Sequence, residues 1–211
     1  GFFSPVVQKG GALFCVPGFN PDEVLKMGGK HPLPRPLLVP VMPFHLLVSP
    51  RGATADMASR ETIFYGASAM NPARLRQGIE RWGQVFYQFF GQSEAPMVVA
   101  NMRRGDHDLS KPGRLASCGR PTPWVHPALL APAGNQVPTG QPGEICVRGP
   151  LVMKGYKDMP EQTAEAFAGG WLHTGDVGKL DEEGFLYIVD RTKDMIVTGG
   201  FNVFPREVED V

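Results

Sequence analysis

The sequence has no excess of charge of either sign. Its 211 residues carry 21 Lys and Arg against 21 Asp and Glu, a formal net charge of zero, with no basic stripe interleaved with aromatics. That excludes the electrostatic footprint of a nucleic-acid binder. Cysteine is scarce. Cys15, Cys118 and Cys146 are far apart and odd in number, so no disulfide framework is expected and a reduced, cytoplasmic setting fits. Long apolar runs are missing as well. The most apolar window, residues 37–48, is interrupted by Pro40, Pro43 and His45, which argues against a membrane span. No signal-peptide pattern is read, and the first residue is not Met. The five histidines lack metal-ligand spacing, so no zinc site is assigned. No internal repeat or low-complexity segment is visible.

What is there reads as alternating elements followed by short strands. In the apolar segment 1–26 a buried strand is expected over 12–16. Asn20, Pro21, Asp22 and Glu23 form a helix start: a capping Asn, Pro at the first helical position and acids in the first turn. The glycines and prolines of 28–36, GGKHPLPRP, are expected to stop that helix, at about 1 kcal/mol per glycine and about 3 kcal/mol per proline. Residues 61–94 read as a βαβ unit. A strand over 62–65 ends at Gly66, Ala67 and Ser68, and Asn71 and Pro72 then cap a helix with Leu75, Ile79 and Trp82 on one face. A second strand over 85–90 ends at Gly91, Gln92, Ser93 and Glu94. A helical crossover implies parallel strands, with both loops at the carboxyl rim where open α/β sheets bind ligands. Residues 101–114 read as a polar, mobile loop. From 115 to 148, short β runs divided by Pro and Gly turns suggest a small antiparallel barrel or sandwich, and a short helix is expected over 160–167.

The fold expected is therefore α/β: a parallel βαβ sheet portion, then a small antiparallel β-barrel-like subdomain, then the start of a small α+β domain. The divisions fall at 1–114, 115–190 and 191–211. Cys146 alternates into an apolar strand and reads as a small core residue.

Two places carry candidate chemistry. At 90–94, Phe90 offers an aromatic face for an adenine, Gly91 permits close backbone approach, the Ser93 hydroxyl can donate to a phosphate oxygen, and Glu94 is a hard ligand for Mg²⁺. An ordinary strand end with a solvent-facing Glu explains the tetrapeptide 91–94 equally well. At 171–209, Asp176 sits in a Gly-Asp turn where its carboxylate could take two ribose hydroxyls. A hairpin signal follows over 181–184, and Arg191 supplies a directional, always-charged fork. Each piece alone reads as a surface hairpin with solvated charges.

Together, W-L-H-T-G-D at 171–176, D-R-T-K-D-M-I at 190–196 and G-G-F-N-V-F-P-R-E-V-E at 199–209 closely resemble the adenylate-forming superfamily of acyl-CoA synthetases, AMP-binding carboxylate–CoA ligases and luciferases. The resemblance extends over nearly the whole chain. It implies that Asp176 binds the ribose, Arg191 contacts the nucleotide, Lys193 is a domain hinge, and Gly199 and Gly200 border the tunnel for the CoA arm. F-G-Q-S-E at 90–94 resembles the family's Y-G-x-T-E, with Phe for Tyr and Ser for Thr. It implies nucleotide contacts by Phe90, Gly91, Gln92 and Ser93, with Mg²⁺ at Glu94. Gly66, Ala67 and Ser68 would lie along the adenine and acyl pocket. G-E-I-C-V-R-G at 143–149, with Gly155 and Tyr156, matches a structural signature, whereas 28–36 departs from the family pattern.

The implied function is that of an AMP-forming acyl-CoA synthetase of the fatty-acid type. ATP and a carboxylate would give an acyl-adenylate, and CoA would then displace AMP. The family's phosphate loop and catalytic lysine are not found in these 211 residues. The chain is accordingly expected to be a central fragment, inactive alone and without a catalytic residue of its own. An adenylating domain that loads a carrier protein, a non-catalytic nucleotide-binding or interaction fragment, and a damaged or misassembled product, to which 28–36 points, are the other readings.

Overall fold

In a computed structural model of the chain, the residues described are 3–30, 35–50, 52, 61–68, 70–191, 196–198 and 201–203. They form two compact units, one of Gly1–Tyr87 with Arg103–Leu115 and one of Gln88–Met102 with Ala116–Val211.

The first unit opens with α1 (Phe3–Gln8) and an irregular stretch. The strand expected over 12–16 is not formed, and Leu13, Phe14 and Val16 are exposed. An apolar run becomes a strand only where another strand takes up its backbone groups, and none of the described strands pairs with this one. Helix α2 (Pro21–Lys30) starts as expected, with Asn20 Oδ1 accepting from the amides of Asp22 and Glu23 at 3.0 and 3.2 Å. It continues through Gly28 and Gly29, beyond the expected stop. Those glycines fall in its final turn, where helix ends fray and glycine is tolerated.

Strand β1 (Leu37–Leu38) leads to α3 (Val41–Val48) and β2 (Ile63–Gly66), and β1 and β2 pair in parallel. Helix α4 (Pro72–Trp82) is capped by Asn71, whose Oδ1 accepts from the amides of Ala73 and Arg74. Its expected face, Leu75, Ile79 and Trp82, is buried. Strand β3 (Phe86–Gln92) begins in this unit, where Trp82 stacks on Phe86 at 6.0 Å and Tyr65 meets the same ring edge-on.

The segment expected as a loop at 101–114 is built instead of the end of a strand and two 3-10 turns, Arg104–Asp106 and Pro112–Ala116, around a fully buried His107. The imidazole has a partner for each nitrogen. Nδ1 lies 2.8 Å from the carbonyl of Arg103, to which it donates, and Nε2 lies 3.0 Å from the Tyr65 hydroxyl, from which it accepts. A neutral ring satisfies both, and burial pushes its pKa down to about 4.

In the second unit β3 turns directly into β4 (Ala95–Met102), and β5 (Arg120–Pro121) follows, both pairings antiparallel. The five-stranded sheet, in the order β1-β2-β3-β4-β5, is thus mixed. Residues 93–94 are the turn of the hairpin that joins β3 to β4. Strands β6 (His126–Leu130), β7 (Gly143–Arg148), β8 (Leu172–Leu180) and β9 (Leu186–Arg191) form a second sheet in sequence order, antiparallel throughout, with α5 (Pro160–Ala166) before β8. Among the described residues no pair joins β9 to β6, so this sheet is open and not a closed barrel. Val125, Leu129, Ile145, Val147, Leu172 and Leu186 belong to its buried core. Cys146 is fully buried in β7, the small core residue that the alternation implies. A separate hairpin pairs β10 (Ile196–Thr198) with β11 (Phe201–Val203). No helix of the described residues is long and apolar enough to cross a membrane.

His107 makes stability acid-sensitive. Its folded pKa lies below the ordinary 6.5, so the unfolded chain binds more protons between 6.5 and about 4. The contribution is complete above 6.5 and is lost as pH falls through that interval, at up to about 1.4 kcal/mol per pH unit. Urea unfolding at pH 7 and pH 4 should show this loss, and His107→Gln should flatten the slope while lowering stability at pH 7 by about 1–3 kcal/mol.

Candidate functional site

The segment around Asp176 departs from a plain strand. Glu144 pairs with Val177 and Cys146 with His173, so the single β7 residue Ile145 faces three residues of β8: Thr174, Gly175 and Asp176. The surplus residues form a bulge. Gly175 has φ 74°, and a Cβ there would meet nothing within 4 Å. The left-handed backbone, and not crowding, is what requires glycine. The Thr174 hydroxyl donates to the carbonyl of Ile145 at 2.7 Å and accepts from the amide of Asp176 at 3.1 Å. Asp176 therefore sits on a bulge inside a strand, not in the isolated Gly-Asp turn expected.

The hairpin that follows is the one expected at 181–184. Asp181 accepts from the Phe185 amide and the Tyr187 hydroxyl at 2.8 and 3.0 Å. This hairpin returns β9 so that Arg191 is the register partner of Asp176. Arg191 Nε lies 3.5 Å from Asp176 Oδ1, with the carboxylate side chain 14% exposed and the guanidinium side chain 75% exposed. Burial holds the Asp176 carboxyl above the usual carboxylate range, opposed by Arg191 and reinforced by Glu144.

The second cluster is the β3–β4 hairpin. Register shifts between Phe90 and Gln92, and a Cβ on Gly91 would lie 2.7 Å from the backbone N and C of Met97, itself at φ 63°. The hairpin's own backbone thus leaves no room for a side chain at this position. Phe90 is half-buried and packs on the core of this unit. Gln92 ends β3 and Ser93 is exposed in the turn. Glu94 is tied at both ends: Oε1 accepts the Tyr156 hydroxyl at 2.8 Å, and its carbonyl accepts the Met153 amide at 2.7 Å. That hydrogen bond pushes the Tyr156 pKa up. Tyr156 reads from sequence as a structural residue only, because nothing local shows which carboxylate it meets.

In the first unit, Gly66 closes β2, Ala67 has φ 72°, and Ala67 and Ser68 are exposed. A left-handed alanine is uncommon. Lys193, Gly199 and Gly200 lie outside the described residues.

One group escapes sequence reading. Glu144, Cys146 and His173 bring a carboxylate, a thiol and an imidazole together, their ligand atoms all within 4.8 Å of one another. The register of β7 against β8 makes this cluster, and spacing along the chain carries no sign of it. Its one local signal is a charged residue, Glu144, opening an apolar strand.

The AMP-binding enzyme family matches residues 2–157. A medium/long-chain-fatty-acid–CoA ligase, FadD8 of Mycobacterium tuberculosis, is 53% identical over 210 residues, covering 100% of this chain and 36% of that protein. Among solved structures, amide bond synthetase McbA from Marinactinospora thermotolerans superposes with TM-score 0.85 at 35% identity, covering 92% of this chain and 38% of that one. ATP-bound MatB from Rhodopseudomonas palustris gives 0.81 at 31% identity, covering 95% and 39%. The chain spans little more than a third of the length of these relatives.

Two substitutions check this geometry. Because the Asp176 carboxyl is held above its usual 3.8, the native chain binds the extra proton just above that value, and stability falls as pH rises through the interval. Asp176→Asn should raise the unfolding midpoint at pH 7 and remove that component. Gly175→Ala should lower stability by about 1 kcal/mol through its left-handed backbone alone.

Proposed function

Because the chain belongs to the AMP-binding enzyme family, we propose that it is the nucleotide-binding central part of an AMP-forming acyl-CoA synthetase acting on a fatty acid. In that reaction a carboxylate oxygen attacks the α-phosphorus of ATP, and the bond to the bridging oxygen breaks to release pyrophosphate. The CoA sulfur then attacks the acyl carbon, and AMP leaves with the oxygen. The observation that carries the reading is the Asp176–Arg191 pair on neighbouring strands. Asp176 accepts from the ribose hydroxyls, and Arg191 donates from its exposed fork to sugar or phosphate oxygens. A carboxylate whose charged form is partly desolvated gains most from such donors.

In the second unit Phe90, Gly91, Gln92 and Ser93 contact the nucleotide, the Ser93 hydroxyl donating to a phosphate oxygen; in the first unit Gly66, Ala67 and Ser68 are assigned nucleotide contacts of their own. Glu94 is the residue that would hold Mg²⁺. One fixed carboxylate plus substrate phosphates is a donor set that suits this ion, and Tyr156 already orients the carboxylate. When bound, the ion neutralises phosphate charge around the in-line displacement. Lys193 is the hinge, and Gly199 and Gly200 border the path of the CoA arm. Three free cysteines accord with a cytoplasmic setting. The likeness to an amide bond synthetase favours one alternative, an amine in place of CoA as acceptor.

Calorimetric titration with AMP, and with ATP in the presence of Mg²⁺, tests the nucleotide site. Wild type should bind both, and Asp176→Ala should weaken AMP tenfold or more, about the value of one hydrogen bond to a charged group. Glu94→Gln should leave AMP binding in place and remove the gain that Mg²⁺ gives to ATP. Absence of AMP binding in wild type would overturn the reading for this chain.

A further inference from the structure

We propose that Glu144 and His173 form a positioning pair that holds the bulge at Gly175 and Asp176 in the shape the ribose requires. The proposal rests on the nucleotide reading above. The Glu144 carboxylate grips the bulge from both sides of Thr174. Its Oε1 accepts the Gly175 amide at 3.1 Å, and its Oε2 lies 2.8 Å from His173 Nδ1. The other ring nitrogen, Nε2, lies 3.1 Å from the carbonyl of Ala168, in the 3-10 turn Ala168–Gly170 just before β8. Both nitrogens face acceptors, the Glu144 carboxylate and the Ala168 carbonyl, so the ring meets each as a donor through an N–H. The result is a chain of hydrogen bonds from the 168–170 turn through His173 and Glu144 to the amide next to Asp176.

Gly175 has no side chain by which a neighbour could restrain it, and its backbone lies in the left-handed region. Its amide is a handle that Glu144 takes. Glu144 and His173 side chains are 23% and 29% exposed, so these charge-assisted bonds are less screened than on open surface. Thr174, held to the carbonyl of Ile145, pins the middle of the bulge. Glu144 and Thr174 together leave Asp176 facing Arg191.

The same residues suggest a cation site, since Cys146 Sγ lies 3.5 Å from His173 Nδ1. The distances favour the hydrogen-bonded pair. Two ligands held at about 2.0–2.1 Å by one tetrahedral ion stand about 3.3 Å apart, whereas Nδ1 and Oε2 are 2.8 Å apart. Burial, with the Glu144 charge, also pushes the Cys146 thiol up to about 12, so its thiolate is disfavoured.

The test is amide hydrogen exchange on wild type, Glu144→Ala, Glu144→Gln and His173→Gln, with AMP titration of the same proteins and of Asp176→Ala. Glu144→Ala should speed exchange at Gly175 about tenfold or more while Val147 and Leu186 are unchanged. Glu144→Gln, which keeps an acceptor oxygen, should restore most of the protection, and His173→Gln should fall between. AMP affinity should drop in the same order. Exchange at Gly175 that is equal in all four proteins overturns the brace. AMP affinity that depends on Asp176 but not on Glu144 overturns the positioning role and leaves the nucleotide reading standing. If wild type binds no AMP, the nucleotide reading fails and takes the ribose role with it, while exchange still decides the brace. Zinc bound by wild type and lost in Cys146→Ser would overturn the pair in favour of a metal site.

Discussion

A single misregister between β7 and β8 governs the candidate site. Where Ile145 alone faces Thr174, Gly175 and Asp176, the ladder cannot pair every backbone group, and β8 must bow outward. Everything distinctive nearby compensates for that bow. Thr174 takes over a carbonyl of β7, Gly175 supplies the left-handed backbone, and Glu144 accepts the amide that the bulge exposes. Asp176 is then offered at a position regular pairing would not give it, opposite Arg191 at the end of β9.

The β3–β4 hairpin solves a related problem in another way. Here the register shift is absorbed by a glycine pressed against the Met97 backbone and by a left-handed Met97. The turn places Glu94 where Tyr156 and Met153 can fix both its carboxylate and its carbonyl. In both clusters a candidate carboxylate is reached through an irregular strand, and a distant side chain meets it: the Tyr156 hydroxyl at Glu94 and the Arg191 guanidinium at Asp176. Irregularities of this kind recur next to active sites because they re-aim a side chain without ending the sheet.

Burial shifts His107 and Asp176 in opposite directions, lowering the one and raising the other. His107 is buried as a neutral ring with a partner for each nitrogen, so its environment opposes charging and supports the first unit. Asp176 is partly buried with a charge that its surroundings incompletely balance, since Arg191 offsets only part of the desolvation and Glu144 adds repulsion. The first arrangement stabilises the fold at neutral pH. The second lowers stability there and leaves a carboxylate ready for donors from a ligand, as expected where function competes with stability.

Local chemistry written in the sequence was enough for several elements. The Asn20 and Asn71 caps, the buried face of α4, the turn at 181–184 and the short helix before β8 each depend on residues a few positions apart, and all formed as expected. The motif resemblance singled out Asp176 and Arg191 separately, and the register of β8 against β9 sets them opposite each other. Tertiary structure decided the rest. Residues 12–16 form no strand, 101–114 folds as turns around His107, and among the described residues the second sheet is open. The joining of Tyr156 to Glu94 and of His173 to Glu144 spans 62 and 29 positions respectively. Caps and turns are set by interactions within one or two turns of chain, so sequence determines them. Register, bulges and buried polar partners depend on which distant strand arrives opposite, and only the folded chain decides that.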